Sequence, residues 1–112
     1  MIAEKLEAIV TLGRINSRMK DFYDLLMISR QFELDGEVLV AAIKATFARR
    51  QTDIPAGIPD GLSEAFATTP SARALWDAFL KRERLSLDSV DFRTLVAELR
   101  DFVTPLLKAS IK

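Results

Sequence analysis

The most constraining stretch is the last one. Phe92, Leu95, Val96, Leu99, Phe102, Val103, Leu106 and Leu107 recur at alternating intervals of three and four. That spacing stacks side chains along one face of an α-helix. A stripe this regular requires other apolar faces to cover it, so it reads as the central packing helix of a bundle. It holds fewer than about three clean heptads, too few for a coiled-coil partner. Ser86, Asp88, Ser89 and Asp91 can each cap its start. Pro105 removes one backbone bond, to Asp101, and is expected to kink or divide the helix.

The remaining pattern is helical as well. Ile2, Leu6, Ile9 and Val10 predict a first helix from Ile2 to Leu12, with Gly13 as its stop. Either Asn16 or Ser17 can cap a second helix, from Arg18 to about Gln31. Asp35 is a good N-cap for a third, whose stripe is Leu39, Ile43 and Phe47, with Leu34 and Leu39 placed as a hydrophobic staple. Arg49 and Arg50 end it, where cations suit the helix dipole. Pro55, Gly57, Pro59 and Gly61 break the pattern and mark the one long connection. Leu62 to Phe66 is expected to give a helical turn or two. Thr69-Pro70 restarts a helix with the apolar face Leu75, Trp76, Phe79 and Leu80, in which Trp76 reads as a core anchor. Val38-Leu39-Val40 is too short for a strand and sits inside a helical pattern. The expectation is an all-α fold, a compact bundle of four or five helices without a sheet, as a single domain over residues 1–112.

Composition excludes several chemistries. The chain has no cysteine and no histidine. Disulfides, thiolate nucleophiles, imidazole metal sites and the Ser-His-Asp triad are therefore absent from it. Sixteen basic and sixteen acidic residues balance, so no net field draws it to nucleic acid or to an anionic membrane. No apolar run approaches the roughly 20 residues that span a bilayer. With no secretory pattern at the N-terminus, a cytoplasmic protein is the default expectation.

One stretch has more charge than an amphipathic helix needs. In Arg18-Met19-Lys20-Asp21-Phe22-Tyr23-Asp24, helical spacing gathers Met19, Phe22, Tyr23 and Leu26 on one side. Lys20, Asp21 and Asp24 fall on a separate arc, with Arg18 near the N-terminal rim. Asp21 and Asp24 stand at i, i+3 and repel mildly unless a cation lies between them. Acids early in a helix also suit its dipole, so ordinary helix electrostatics is an alternative reading. Lys5, on the polar side of the first helix, reads by itself as a solvated charge.

Ala3-Glu4-Lys5-Leu6-Glu7-Ala8 followed by Asn16-Ser17-Arg18-Met19-Lys20-Asp21-Phe22-Tyr23-Asp24-Leu25 resembles the C-terminal half of the AbiEii/AbiGii nucleotidyltransferase toxin family. The similarity continues through Ile43-Lys44-Ala45-Thr46-Phe47-Ala48-Arg49-Arg50 to the terminal helix. The resemblance implies a helical domain that follows a polymerase β-like nucleotidyltransferase fold. It also implies toxins of toxin–antitoxin or phage-defence systems that transfer a nucleotide from a nucleoside triphosphate, with Mg²⁺, to an acceptor that is tRNA for some members. Lys5 matches the family's third motif; Arg18, Lys20, Asp21 and Asp24 match the fourth. By that analogy Lys5 and Lys20 offset triphosphate charge, Arg18 steadies the motif, Asp21 acts in or beside catalysis and Asp24 supports it.

The family's first two motifs, a Gly-Ser turn and metal-binding acids on a sheet, do not occur in these residues. The chain is therefore expected to be inactive alone, with no metal site of its own, and to need a separate nucleotidyltransferase half. The alternatives are a module binding a nucleotide or an antitoxin protein without catalysis, and a helical protein that forms homo-oligomers. An exposed apolar patch beside Lys5 and Asp21 would favour the truncated-toxin or oligomer readings.

Overall fold

Local signals set most helix ends in the computed structural model, which describes residues 2–13, 19–31, 34–83 and 91–111. The first helix, α1, runs Ile2–Leu12. It stops at Gly13, whose φ of 54° is left-handed and free of strain only for glycine. Helix α2 is Met19–Gln31; its proposed caps, Asn16 and Ser17, lie outside the described residues. Helix α3 is Gly36–Arg49, and Asp35 Oδ1 accepts from the N–H groups of Glu37 at 2.9 Å and Val38 at 3.4 Å. The end of α3 is a Schellman turn: Thr52 N–H donates to the Phe47 carbonyl and Gln51 N–H to that of Ala48. Gln51 holds the left-handed position of that turn, at φ 56°, where glycine is usual.

The long connection carries a 3₁₀ turn, Asp60–Leu62, and the short helix α4, Glu64–Ala67. Helix α5, Pro70–Arg82, starts where Thr69 Oγ1 accepts from Ala72 N–H at 3.2 Å. Helix α6 is Phe92–Ile111, and the Asp91 carboxylate caps it through Thr94 N–H at 2.7 Å. The other candidate caps, Ser86, Asp88 and Ser89, lie outside the described residues. Pro105 is inside α6 but does not divide it. Five long helices and one short one account for the described residues, with no strand among them.

The bundle is a ring of four, α1–α2–α6–α3, each helix packing on the next, so α1 and α6 stand diagonally. Helices α4 and α5 cover α6 on the remaining side. Buried Phe92, Leu95, Val96, Leu99, Val103 and Leu107 confirm α6 as the central packing helix. Rings of Phe22, Phe66, Trp76, Phe79 and Phe92 join α2, α4, α5 and α6, the closest pair being Phe22 and Phe92 at 5.2 Å between centroids, edge to face. Trp76 is a core anchor as expected. Leu75, assigned to the same face by spacing, points outward and is 41% exposed.

Two contacts hold the connection against α1 and α6. A Cβ on Gly61 would stand 2.8 Å from the Ile9 carbonyl oxygen, so only glycine lets the 3₁₀ turn approach α1 this closely. From the other side, Arg100 Nε donates to the Leu62 carbonyl at 2.9 Å.

A lysine-carboxylate cluster as the candidate functional site

Helix α1 is held on its α3 side by a buried acid. The Glu7 carboxylate accepts from Arg50 Nη1 at 2.7 Å, Thr52 Oγ1 at 2.7 Å and Thr11 Oγ1 at 2.6 Å. Burial by itself would raise its pKa. The three donors outweigh that and hold Glu7 below the usual carboxylate range. Arg49 adds a longer contact to Glu4, at 3.9 Å. The arginines that end α3 thus face acids of α1, and Arg50 fastens the two helices together.

With α1 fixed in this way, Lys5 projects toward α2. Its ammonium Nζ lies 2.7 Å from Asp24 Oδ2 and 3.5 Å from Asp21 Oδ1. Lys20 Nζ reaches the same Asp24 oxygen, also at 2.7 Å, across one turn of α2. Exposure grades across the cluster: the side chain of Asp21 is 7% exposed, Lys5 19%, Asp24 21% and Lys20 72%. Lys5 is therefore mostly covered, unlike the solvated charge that its position in α1 suggests by itself. Burial alone would lower the Lys5 pKa, but the Asp24 and Asp21 carboxylates raise it. Burial alone would raise that of Asp24, but the Lys20 and Lys5 ammonium groups lower it. At neutral pH Lys5 and Asp24 are both charged, and they are hydrogen-bonded as an ion pair.

Two members of the cluster, Lys20 and Asp24, line a groove of about 240 Å³ together with Tyr23, Phe79 and Glu83; Lys5 stands behind Asp24. Tyr23 and Phe79 meet in a tilted ring contact at 5.8 Å. The structure thus gathers four of the five residues singled out from the sequence, Lys5, Lys20, Asp21 and Asp24. The fifth, Arg18, lies outside the described residues. Sequence reasoning missed Glu7, Arg50 and Thr52, which position α1. Their one local signal is the pair of acids, Glu4 and Glu7, on the first helix, and it does not name a partner 43 residues away.

The donor set is not one for a metal ion. Asp24 is shared between two ammonium groups and Asp21 faces Lys5, so neither carboxylate belongs to a cage for a divalent cation. Among the described residues no three acidic, histidine or cysteine side chains gather to hold a metal. Mg²⁺ does not fit this cluster. None of the large apolar side chains left exposed, Val38, Ile58, Leu75 and Ile111, belongs to α1 or α2. Among the described residues no helix is long and apolar enough to cross a membrane.

Fold and cluster together define an all-helical domain that carries a lysine–carboxylate cluster between two of its helices. Residues 1–100 match the family described as nucleotidyl transferase AbiEii toxin, type IV toxin–antitoxin system. The chain belongs to that family. No curated protein and no solved structure matches it.

Proposed function

We propose that this chain supplies the lysine-bearing helical half of a nucleotidyltransferase cleft, with Lys5 and Lys20 facing the phosphates of a nucleoside triphosphate. The observation that carries this reading is the meeting of two ammonium groups from different helices on one oxygen, Asp24 Oδ2. Phosphoryl-group transfer depends on positioned cations set against developing negative charge, and Lys5 and Lys20 are cations of that kind. Asp21, the most covered of the four, acts beside the reacting groups or orients Lys5. Mg²⁺ and the acids that hold it come with the nucleotidyltransferase half, and the acceptor is a tRNA. An antitoxin protein is the regulatory partner, in keeping with the family.

These residues alone do not transfer nucleotide. Incubated with labelled nucleoside triphosphates, Mg²⁺ and total tRNA, the chain is expected to leave the RNA unlabelled. Reproducible labelling that Asp21→Ala abolishes would overturn this. A second reading, a protein-binding or self-associating module, is favoured by the apolar groove of about 610 Å³ between α3 and α6, which Val40, Ala41, Pro105, Leu106 and Ala109 line. Sedimentation of the purified chain tests it, since a concentration-independent monomer removes the self-association part.

A further inference from the structure

A single carboxylate oxygen sits between two ammonium groups that belong to different helices. Asp24 Oδ2 is 2.7 Å from Lys5 Nζ and 2.7 Å from Lys20 Nζ. That is where an oxygen of a bound phosphate would lie if both lysines gripped it, because charge-assisted N–H···O⁻ bonds have this length whichever anion accepts them. We propose that Asp24 is an internal competitor for the anionic ligand. It occupies the lysine pair in the free protein and yields to a phosphate or polyphosphate that reaches both ammonium groups, so the free protein binds such anions more weakly than its two lysines would without it. The inference rests on the phosphate-facing reading of Lys5 and Lys20.

The two acids of the cluster are not equivalent, and that difference decides which one exchanges. Asp21 is nearly covered and lies at 3.5 Å from Lys5, whereas Asp24 is three times as exposed and stands at the groove. When Asp24 turns away, Lys5 keeps Asp21 as a counter-charge and is not left buried and uncompensated. Lys20 is mostly in solvent, and exposed i, i+4 pairs are worth little, so its bond to Asp24 yields easily. The groove lined by Lys20, Tyr23, Phe79 and Glu83 gives an incoming chain room beside the carboxylate.

Charge counting gives the cost of entry. With Asp24 in place, Lys5, Lys20, Asp21 and Asp24 sum to zero, Glu83 adds a further negative charge at the groove, and any anion must first move a like charge. A lone phosphate bears that cost and regains one compact set of contacts. A polyphosphate bears the same cost but can set separate phosphates against the two lysines, as linked ligands do. Removing the charge of Asp24 lifts that shared cost and therefore helps both anions by a similar factor, leaving any preference for linked phosphates to the placing of the two lysines.

The test is calorimetric titration of the whole chain at fixed ionic strength with inorganic tripolyphosphate and, separately, orthophosphate. The variants are Asp24→Asn, Asp24→Ala and Lys5→Met, each checked for helical circular dichroism and melting. Both Asp24 variants are expected to bind tripolyphosphate about three- to tenfold more tightly than the parent, the scale of one charged hydrogen bond weakened by partial exposure. Orthophosphate affinity should rise by a similar factor, so that the ratio of the two affinities hardly changes in either variant. Lys5→Met should lose binding. If the Asp24 variants bind equally or more weakly while Lys5→Met still loses binding, the competitor role is wrong and the phosphate-facing reading stands. If neither the parent nor the Asp24 variants bind tripolyphosphate, both fail.

Discussion

At the scale of single residues, Glu7 and Gln51 make opposite contributions at the same junction. Glu7 is an almost buried acid with three donors around it, so truncation strands Arg50 and two threonine hydroxyls. Glu7→Ala is expected to lower unfolding free energy by about 1–3 kcal/mol, the usual cost of removing one partner of a covered polar group. Urea denaturation followed by circular dichroism measures it. Gln51 is left-handed, at φ 56°, in a turn that needs no side chain there. Gln51→Gly should raise stability by about 0.5–1 kcal/mol, since relief of the backbone penalty exceeds the entropy of an added glycine. Neither effect was legible in the sequence. Arg49-Arg50 reads there as a dipole-favouring helix end, and what the arginines grip depends on a helix some forty positions away.

Helix ends belong to the element scale, and there local chemistry was informative. Gly13, Asp35 and Thr69-Pro70 act within a few residues of themselves, so the bounds of α1 and the starts of α3 and α5 could be read directly. Spacing also identified α6, down to the buried faces of Leu95, Leu99 and Val103. It failed where a face is wider than its cover. Leu75 has helical spacing with Trp76 and Phe79, yet no neighbour closes over it. The Lys5–Asp24 contact joins separate helices; the residues of the cluster were singled out by charge pattern and family resemblance, while their distances needed the fold. Packing between elements also gives a sharp prediction. Gly61→Ala forces a Cβ against the Ile9 carbonyl at 2.8 Å. A loss of about 1–3 kcal/mol is expected, seen as a lower melting temperature, as in other overpacked contacts.

For the whole molecule, titration ties these local contacts to one measurable curve. Glu7 and Asp24 are held below their usual range, as are Asp91 through the Thr94 backbone N–H and Glu98 through Arg30. The unfolded chain therefore binds more protons in acid, and stability contributed above the unfolded values is lost as pH falls through the folded ones. Lys5 is shifted upward, so its share is present below the unfolded lysine value and is lost as pH rises through the folded one. With no histidine in the chain, the urea midpoint should be nearly level from about pH 5 to 7, below the range of the α-amino group, and decline in more acid solution and again toward the lysine range. A slope centred near neutrality would contradict that assignment of charges.

Helix α1, with 11 residues, is below the length at which a peptide helix persists by itself in water. It exists because α2, α3 and the glycine-tight 3₁₀ turn surround it. The Lys5–Asp24 contact therefore has no separate lifetime. Warming should dissolve it at the same midpoint as the ellipticity, because the two helices lose their shared charges when α1 loses its cover.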